Sequence, residues 1–182
     1  MFQLSGRTAL ITGASGGIGS AIAKNLSQQG AHVILHGTRA GRLEELASEI
    51  GTNVSVVTAN LSDREAVGGL VSEAAKATGA IDILVNNAGI QFVSPIDEFP
   101  IDKWDAIIAI NLSSAFHATK LVLPTMRRKG WGRVINVASV HGLVCSAEKS
   151  AYVAAKHGIV GLTKVTALEN AQSGVTCNAI CP

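Results

Sequence analysis

Three side chains in the last third of the sequence have types and spacing suited to proton transfer. They are Ser139, Tyr152 and Lys156, in the pattern Ser-x12-Tyr-x3-Lys. The run from Ser150 to Ile159 reads as helical, and residues four apart on a helix share a face. Tyr152 and Lys156 should therefore point the same way. A free phenol titrates near ~10, too high for a base at neutral pH. A neighbouring ammonium favours the phenolate, and a general acid or base works best near the operating pH. Lys156 is placed to tune Tyr152. Ser139 follows a strand-like run, Gly132 to Ala138, where a hydroxyl could hydrogen-bond a reacting oxygen. Such a trio could move a proton on and off an alcohol oxygen. A Tyr-x3-Lys pair alone is more commonly a plain surface pair, so the elements around it decide its meaning.

Near the N-terminus, Thr12-Gly13-Ala14-Ser15-Gly16-Gly17-Ile18-Gly19 forms a glycine-rich turn. It follows a short apolar strand candidate, Arg7 to Thr12, and leads into a helix-like stretch from Ser20 to Gln29. Strand, glycine turn, helix is a dinucleotide-binding context. The glycines let the backbone approach a pyrophosphate, and the helix N-terminus offers unpaired N–H groups to an anion. The glycines stand at 13, 17 and 19, a G-x3-G-x-G spacing that an ordinary tight turn could also show.

Strands are expected near 7–12, 31–36, 53–58, 81–86, 132–138 and 175–180, and helices near 18–29, 40–50, 63–78, 102–128 and 149–173. Alternation of this kind predicts a Rossmann-like, doubly wound parallel sheet in a three-layer α/β/α sandwich. The 47% hydrophobic content suits strands buried on both faces. One dinucleotide-binding and catalytic domain, 1–182, is expected from the length. Pro124 is expected to kink or divide the fourth helical stretch.

With these motifs in order, the chain resembles the short-chain dehydrogenase/reductase family. Thr12-Gly13-x3-Gly17-Ile18-Gly19 matches its cofactor motif and Asn86-Asn87-Ala88-Gly89 its second motif. Asn111, Ser139, Tyr152 and Lys156 match its catalytic tetrad, and Cys181-Pro182 the start of a Pro-Gly motif. The resemblance implies that Tyr152 exchanges the proton and that Lys156 tunes it and holds the nicotinamide ribose. Ser139 would position the substrate oxygen, and Asn111 would support a water linking Lys156 to solvent. Gly13, Ser15, Gly16, Gly17, Ile18, Gly19, Thr38, Arg39, Asn60, Leu61, Asn87, Ala88 and Gly89 would contact the cofactor, with Tyr152 and Lys156. Asn86 to Gly89 would line the adenosine side and steady the central sheet.

From Phe2 to about Val85 the wording resembles 3-oxoacyl-(acyl-carrier-protein) reductases, as in Leu35-His36-Gly37-Thr38-Arg39. From Asn87 on it resembles bacterial D-3-hydroxybutyrate dehydrogenases, as in Trp104-Asp105-Ala106-Ile107-Ile108-Ala109-Ile110-Asn111 and Ser139-Val140-His141-Gly142. The second likeness implies that Gln91, His141 and Lys149 grip a small carboxylate beside Ser139 and Tyr152. One cation and two hydrogen-bond donors suit that anion. After the second strand stand Gly37, Thr38 and Arg39, with no acid until Glu44. An Arg here can accept a 2′-phosphate, which favours NADP, whereas hydroxybutyrate dehydrogenases typically use NAD. Asn60 departs from the Asp common near the adenine, but an amide could still hydrogen-bond there. Three readings stay open: oxidation of D-3-hydroxybutyrate to acetoacetate, NADPH-dependent reduction of 3-oxoacyl thioesters, and a nonenzymatic cofactor-binding module. Relatives continue past the sixth strand with a substrate lid and a seventh strand; without these, the sixth strand is expected as a bare edge. The resemblance also implies a homodimer or homotetramer through the helices at 102–128 and 149–173.

The remaining signals are weak. Net charge is +2, and the longest basic run, Arg127-Arg128-Lys129, falls at a helix end, where cations complement the dipole. No nucleic-acid partner is expected. Cys145, Cys177 and Cys181 lack metal spacing and read as reduced core thiols. The five histidines show no paired ligand pattern, so no metal is expected. No membrane-length apolar run and no signal peptide are evident. A cytoplasmic enzyme acting on a small molecule is expected.

Overall fold

In the computed structural model, residues 3–182 are described; Met1 and Phe2, where the first-half likeness begins, lie outside them. Six strands form one sheet: β1 (Thr8–Ile11), β2 (His32–Gly37), β3 (Val54–Thr58), β4 (Ile83–Asn86), β5 (Gly132–Val137) and β6 (Val175–Ile180). Their order is β3-β2-β1-β4-β5-β6, and every pairing is parallel. The connecting helices are α1 (Gly17–Gln28), α2 (Ala40–Ile50), α3 (Arg64–Thr78), α4 (Ile101–Ile108), α5 (Ser114–Arg128) and α6 (Ser150–Glu169). The expected doubly wound α/β architecture is the observed one.

Successive strand side chains point to opposite faces, and the core divides accordingly. On one face Leu10, Ile34, Leu84 and Val134 meet Val67, Leu70 and Ala74 of α3 and Ala118, Val122 and Met126 of α5. On the other, Ala9, Ile11, Val33, Leu35 and Val85 meet Ala23 of α1 and Leu43 and Leu46 of α2. Each buried Leu or Ile contributes about 1.5–3 kcal/mol of transfer free energy.

Between β4 and β5 runs a buried polar bridge. Asn86 Nδ2 donates to Asn136 Oδ1 at 2.8 Å and to Thr119 Oγ1 at 3.3 Å. Asn136 Nδ2 donates in turn to Thr163 Oγ1 at 2.8 Å. The bridge joins β4 and β5 to α5 and α6.

Several boundaries differ from expectation, each for a local reason. The stretch expected at 102–128 stays helical from Ile101 to Arg128, but Ala109–Ser113 is a π-helical turn. Pro124 neither breaks nor divides it: Pro124 lies inside α5 on the solvent side, where water can satisfy the carbonyl that loses its donor. The last helix ends at Glu169, not 173; Asn170 Nδ2 bonds Thr166 O at 2.7 Å and a turn leads into β6. One 18-residue window of Ile101–Arg128, with mean hydropathy 1.5, does match a membrane span by length and composition, contrary to the sequence expectation. That helix carries Ala118, Val122 and Met126 into the core. Of the thiols only Cys177 is a core residue; Cys145 is exposed and Cys181 half-buried. Burial pushes the Cys177 thiol up to about 11. β6 pairs with β5 alone and forms one edge of the sheet.

Candidate active site

The site is built where the strand order reverses, at the carboxyl ends of β1 and β4, the crevice in which open α/β sheets bind ligands. Thr12, just past β1, ties the two strand ends together. Its Oγ1 accepts from the N–H groups of Asn87 and Ala88 at 2.9 and 3.0 Å. Asn87 Nδ2 returns a bond to Thr12 O at 2.9 Å. The approach is close enough to require glycine at 13, where φ is +66° and a Cβ would stand 2.9 Å from Ala88 Cα.

Above this turn lies a cleft of about 450 Å³. It is lined by Gly13, Ser15, Gly16, Gly17, Ile18, Gly19, Thr38, Arg39, Asn60, Leu61, Asn87, Ala88 and Gly89, so every expected cofactor residue outside the catalytic trio is present. Three observations fit this cleft to a dinucleotide. The N-terminus of α1 has no side-chain cap and no acid in its first turn, leaving N–H groups free for a pyrophosphate. A Cβ at Gly17, itself a wall of the cleft, would meet no protein atom within 4 Å, so the open space is the cleft's own. Arg39 Nη2 reaches back across the mouth to Ser15 O at 3.1 Å, which places a cation at the cleft instead of out in solvent. His36, Gly37, Ile90 and Ile110 also line the cleft and were not foreseen from sequence. Asn60 turns its Oδ1 to Ser62, accepting from N at 3.1 Å and Oγ at 2.8 Å.

A second cavity of about 360 Å³ adjoins the first through Ile18, Asn87, Gly89 and Ile90. Gln91, Ser139, Tyr152 and Lys156 line it. Ser139 follows β5, and Tyr152 and Lys156 lie one turn apart on α6. Lys156 is 4% exposed. Its Nζ donates to Val137 O at 2.7 Å and lies 5.5 Å from the Tyr152 ring centroid. Burial pulls its ammonium down to about 8, partly opposed by Cys181. Ser139 Oγ accepts from His141 N at 3.2 Å, so the hydroxyl proton is free to donate into the cavity.

The other expected residues stand one layer back. Asn111, in the π-helical turn, forms two 2.8 Å bonds to the backbone of Ile90. Asn111 Oδ1 and Lys156 Nζ converge on Gly89, where a Cβ would sit 3.5 and 3.8 Å from them. His141 stands edge-on to Tyr152, with ring centroids 6.2 Å apart. Lys149 Nζ is 3.3 Å from His141 Nε2, so these two form one hydrogen-bonded unit, and neither lines the cavity. An ammonium only donates, which puts the proton of a neutral His141 on Nδ1, a buried atom with no partner.

A phenol, a buried ammonium and a hydroxyl free to donate, beside a glycine-lined cleft, suit proton transfer at an alcohol or carbonyl oxygen. A family model described as short chain dehydrogenase matches residues 7–182, and the chain belongs to the short-chain dehydrogenase/reductase family. It is an oxidoreductase acting on CH–OH groups. Among relatives, a D-beta-hydroxybutyrate dehydrogenase of Cupriavidus necator is 57% identical, covering 99% of this chain and 71% of the relative. One from Rhizobium meliloti is 50% identical over 97% and 70%. A 3-oxoacyl-(acyl-carrier-protein) reductase of Rickettsia bellii is 38% identical over 100% and 74%, so both likenesses run through nearly the whole chain. A solved structure of a putative short-chain alcohol dehydrogenase from Sinorhizobium meliloti matches with a TM-score of 0.94 at 35% identity, covering 100% of this chain and 73% of that one.

Proposed function

We propose that this chain, acting as one catalytic domain over residues 1–182, transfers a hydride between a nicotinamide cofactor and a small 3-hydroxy acid, with D-3-hydroxybutyrate and acetoacetate as the pair. The observation that carries this reading is the convergence of Ser139, Tyr152, Lys156 and Gln91 on one cavity that opens into the glycine-lined cleft. The cofactor, bound along that cleft, supplies or accepts the hydride. In the oxidising direction Tyr152 takes the proton of the substrate hydroxyl. Ser139 Oγ, its own acceptor capacity engaged by His141 N, donates to the same oxygen and fixes its position. Lys156 places a positive charge beneath the phenol, and Asn111 holds Ile90 and so the loop that separates the two cavities. Gln91, which lines the cavity, would receive the carboxylate, and the His141–Lys149 pair beside Tyr152 would support it from outside the lining.

Arg39 at the cleft mouth supports NADP, and the hydroxybutyrate dehydrogenase relatives keep NAD in view. Exposed Ile101, Phe116 and Leu121 on α4 and α5, with Val165 and Leu168 on α6, support a homo-oligomer through these helices. We expect the enzyme to work in the cytoplasm. The deciding experiment is absorbance at the reduced-nicotinamide band with D-3-hydroxybutyrate, with NAD and NADP in parallel. Turnover with either supports the reading and sets the cofactor. Reduction of acetoacetyl thioesters but not of free acetoacetate would replace it with the thioester reductase, which Arg39 also supports. Cofactor binding with no turnover on either substrate would favour the nonenzymatic module.

A further inference from the structure

His36 is the one buried imidazole of the cleft, and the chemistry above makes no use of it. It is the penultimate residue of β2, on the face that carries Ile34 and 2% exposed, and it lines the cleft with its neighbours Gly37, Thr38 and Arg39. Its backbone carbonyl accepts from Ala14 N at 2.8 Å, inside the glycine turn. Its side-chain Nε2 lies 3.1 Å from Ala59 O, immediately before Asn60 and Leu61, which also line the cleft. One residue thus binds the glycine turn through its main chain and the β3–α3 loop through its ring. A carbonyl only accepts, so Nε2 carries the proton. Burial holds the imidazole below the ordinary histidine range, with the Ala59 bond opposing, and Nδ1 is left as a buried acceptor without a partner. An apolar side chain would fill this place without that unpaired atom; what it could not do is hold Ala59.

We propose that His36 is a positioning residue for the nucleotide end of the cleft, its imidazole fixing the Asn60–Leu61 wall at the separation from the glycine turn that the adenosine half of a dinucleotide needs. This rests on the dinucleotide reading given above. The backbone bond to Ala14 survives any substitution, so side-chain variants isolate the bond to Ala59. His36→Leu removes the donor at similar volume, and His36→Gln keeps an N–H of comparable reach. Binding of ADP-ribose and of its 2′-phosphate is measured by isothermal titration, with circular dichroism as the check of folding. The loss of one buried hydrogen bond predicts Kd about tenfold weaker for His36→Leu and within about threefold of wild type for His36→Gln. Steady-state rates with nicotinamide cofactor should show the loss in KM and not in kcat. If the leucine variant does not fold, His36→Met takes its place.

Equal losses in the leucine and glutamine variants would overturn the hydrogen-bond role, as would a leucine Kd within twofold of wild type. A wild-type chain that binds neither probe would instead overturn the dinucleotide reading itself.

Discussion

Lys156→Met should stabilise the folded chain at neutral pH while abolishing turnover. Folding draws the Lys156 ammonium from 10.5 to about 8 because the side chain leaves water. At about 1.4 kcal/mol per pH unit, carrying the charge costs the folded state about 3 kcal/mol wherever both states are protonated, which means below about pH 8. Between about 8 and 10.5 the folded protein has released a proton that the unfolded chain still holds. The unfolded state binds more protons there, so stability rises with pH across that window. Methionine has similar length and no charge, so it removes this penalty. It also leaves Val137 O without its 2.7 Å donor, a loss of about 1 kcal/mol. The net expectation is a gain of about 2 kcal/mol at pH 7, shrinking through zero and turning into a deficit of about 1 kcal/mol by pH 10.5. Urea unfolding at pH 7, 8, 9 and 10 reads this directly, because the wild-type and variant curves should converge and cross. A stability difference that stays constant with pH, or a variant already weaker at pH 7, would refute the claim that desolvation governs Lys156.

Tyr152→Phe should lower kcat by on the order of 10²–10⁴, the worth of a positioned general acid or base, with cofactor Kd unchanged by fluorescence titration. Arg39→Asp should move the NADP-to-NAD preference towards NAD in paired kcat/KM measurements; an unaltered ratio would remove Arg39 from cofactor choice. His141→Leu and Lys149→Met should each raise KM for D-3-hydroxybutyrate far more than KM for cofactor. Their double variant should cost little beyond either single one, because the two side chains act as one hydrogen-bonded unit. Gly13→Ala should destabilise the fold by about 2 kcal/mol in a denaturant titration, since its positive φ and the 2.9 Å approach to Ala88 Cα both exclude a side chain.

What was legible in the sequence was whatever chain periodicity or a fixed local motif could carry. β1 and β4 read clearly because Thr8–Ile11 and Ile83–Asn86 are buried throughout, and the glycine turn announced itself by residue type. The cleft wall at Thr38 and Arg39 followed from the end of β2. The π-helical turn was not legible, because Ala109–Ser113 has the composition of ordinary helix and its widening only shows in hydrogen bonds. The solvent-side position of Pro124 was equally invisible, since burial decides whether a proline's lost bond matters. His36 carries no signal in the sequence for a different reason. Inside the apolar run Val33-Ile34-Leu35-His36 a lone histidine signals nothing, and its meaning depends on Ala14 and Ala59, which only the sheet brings together. The sequence offers Lys149 and His141 separately to a carboxylate, and their contact with one another depends on the fold.

The widened turn at Ala109–Ser113 also sets how the long helix is divided between tasks. A regular helix turns about 100° per residue, and a π turn takes up roughly one extra residue before the regular winding resumes. The faces of α4 and α5 are therefore offset in phase although the axis runs on. Upstream, Ile107 joins Phe99 in packing against Ala151 and Ala155 of α6; downstream, Ala118, Val122 and Met126 turn to the sheet. A chain shortened by one residue within 109–113 would restore regular winding and lose that offset. It could keep the upstream half registered on α6 or the downstream half on the sheet, and in either case Asn111 would lose its place opposite Ile90. The indel-intolerant point of this helix is thus the same segment that carries Asn111, so packing alone would hold its length whatever the role of that amide.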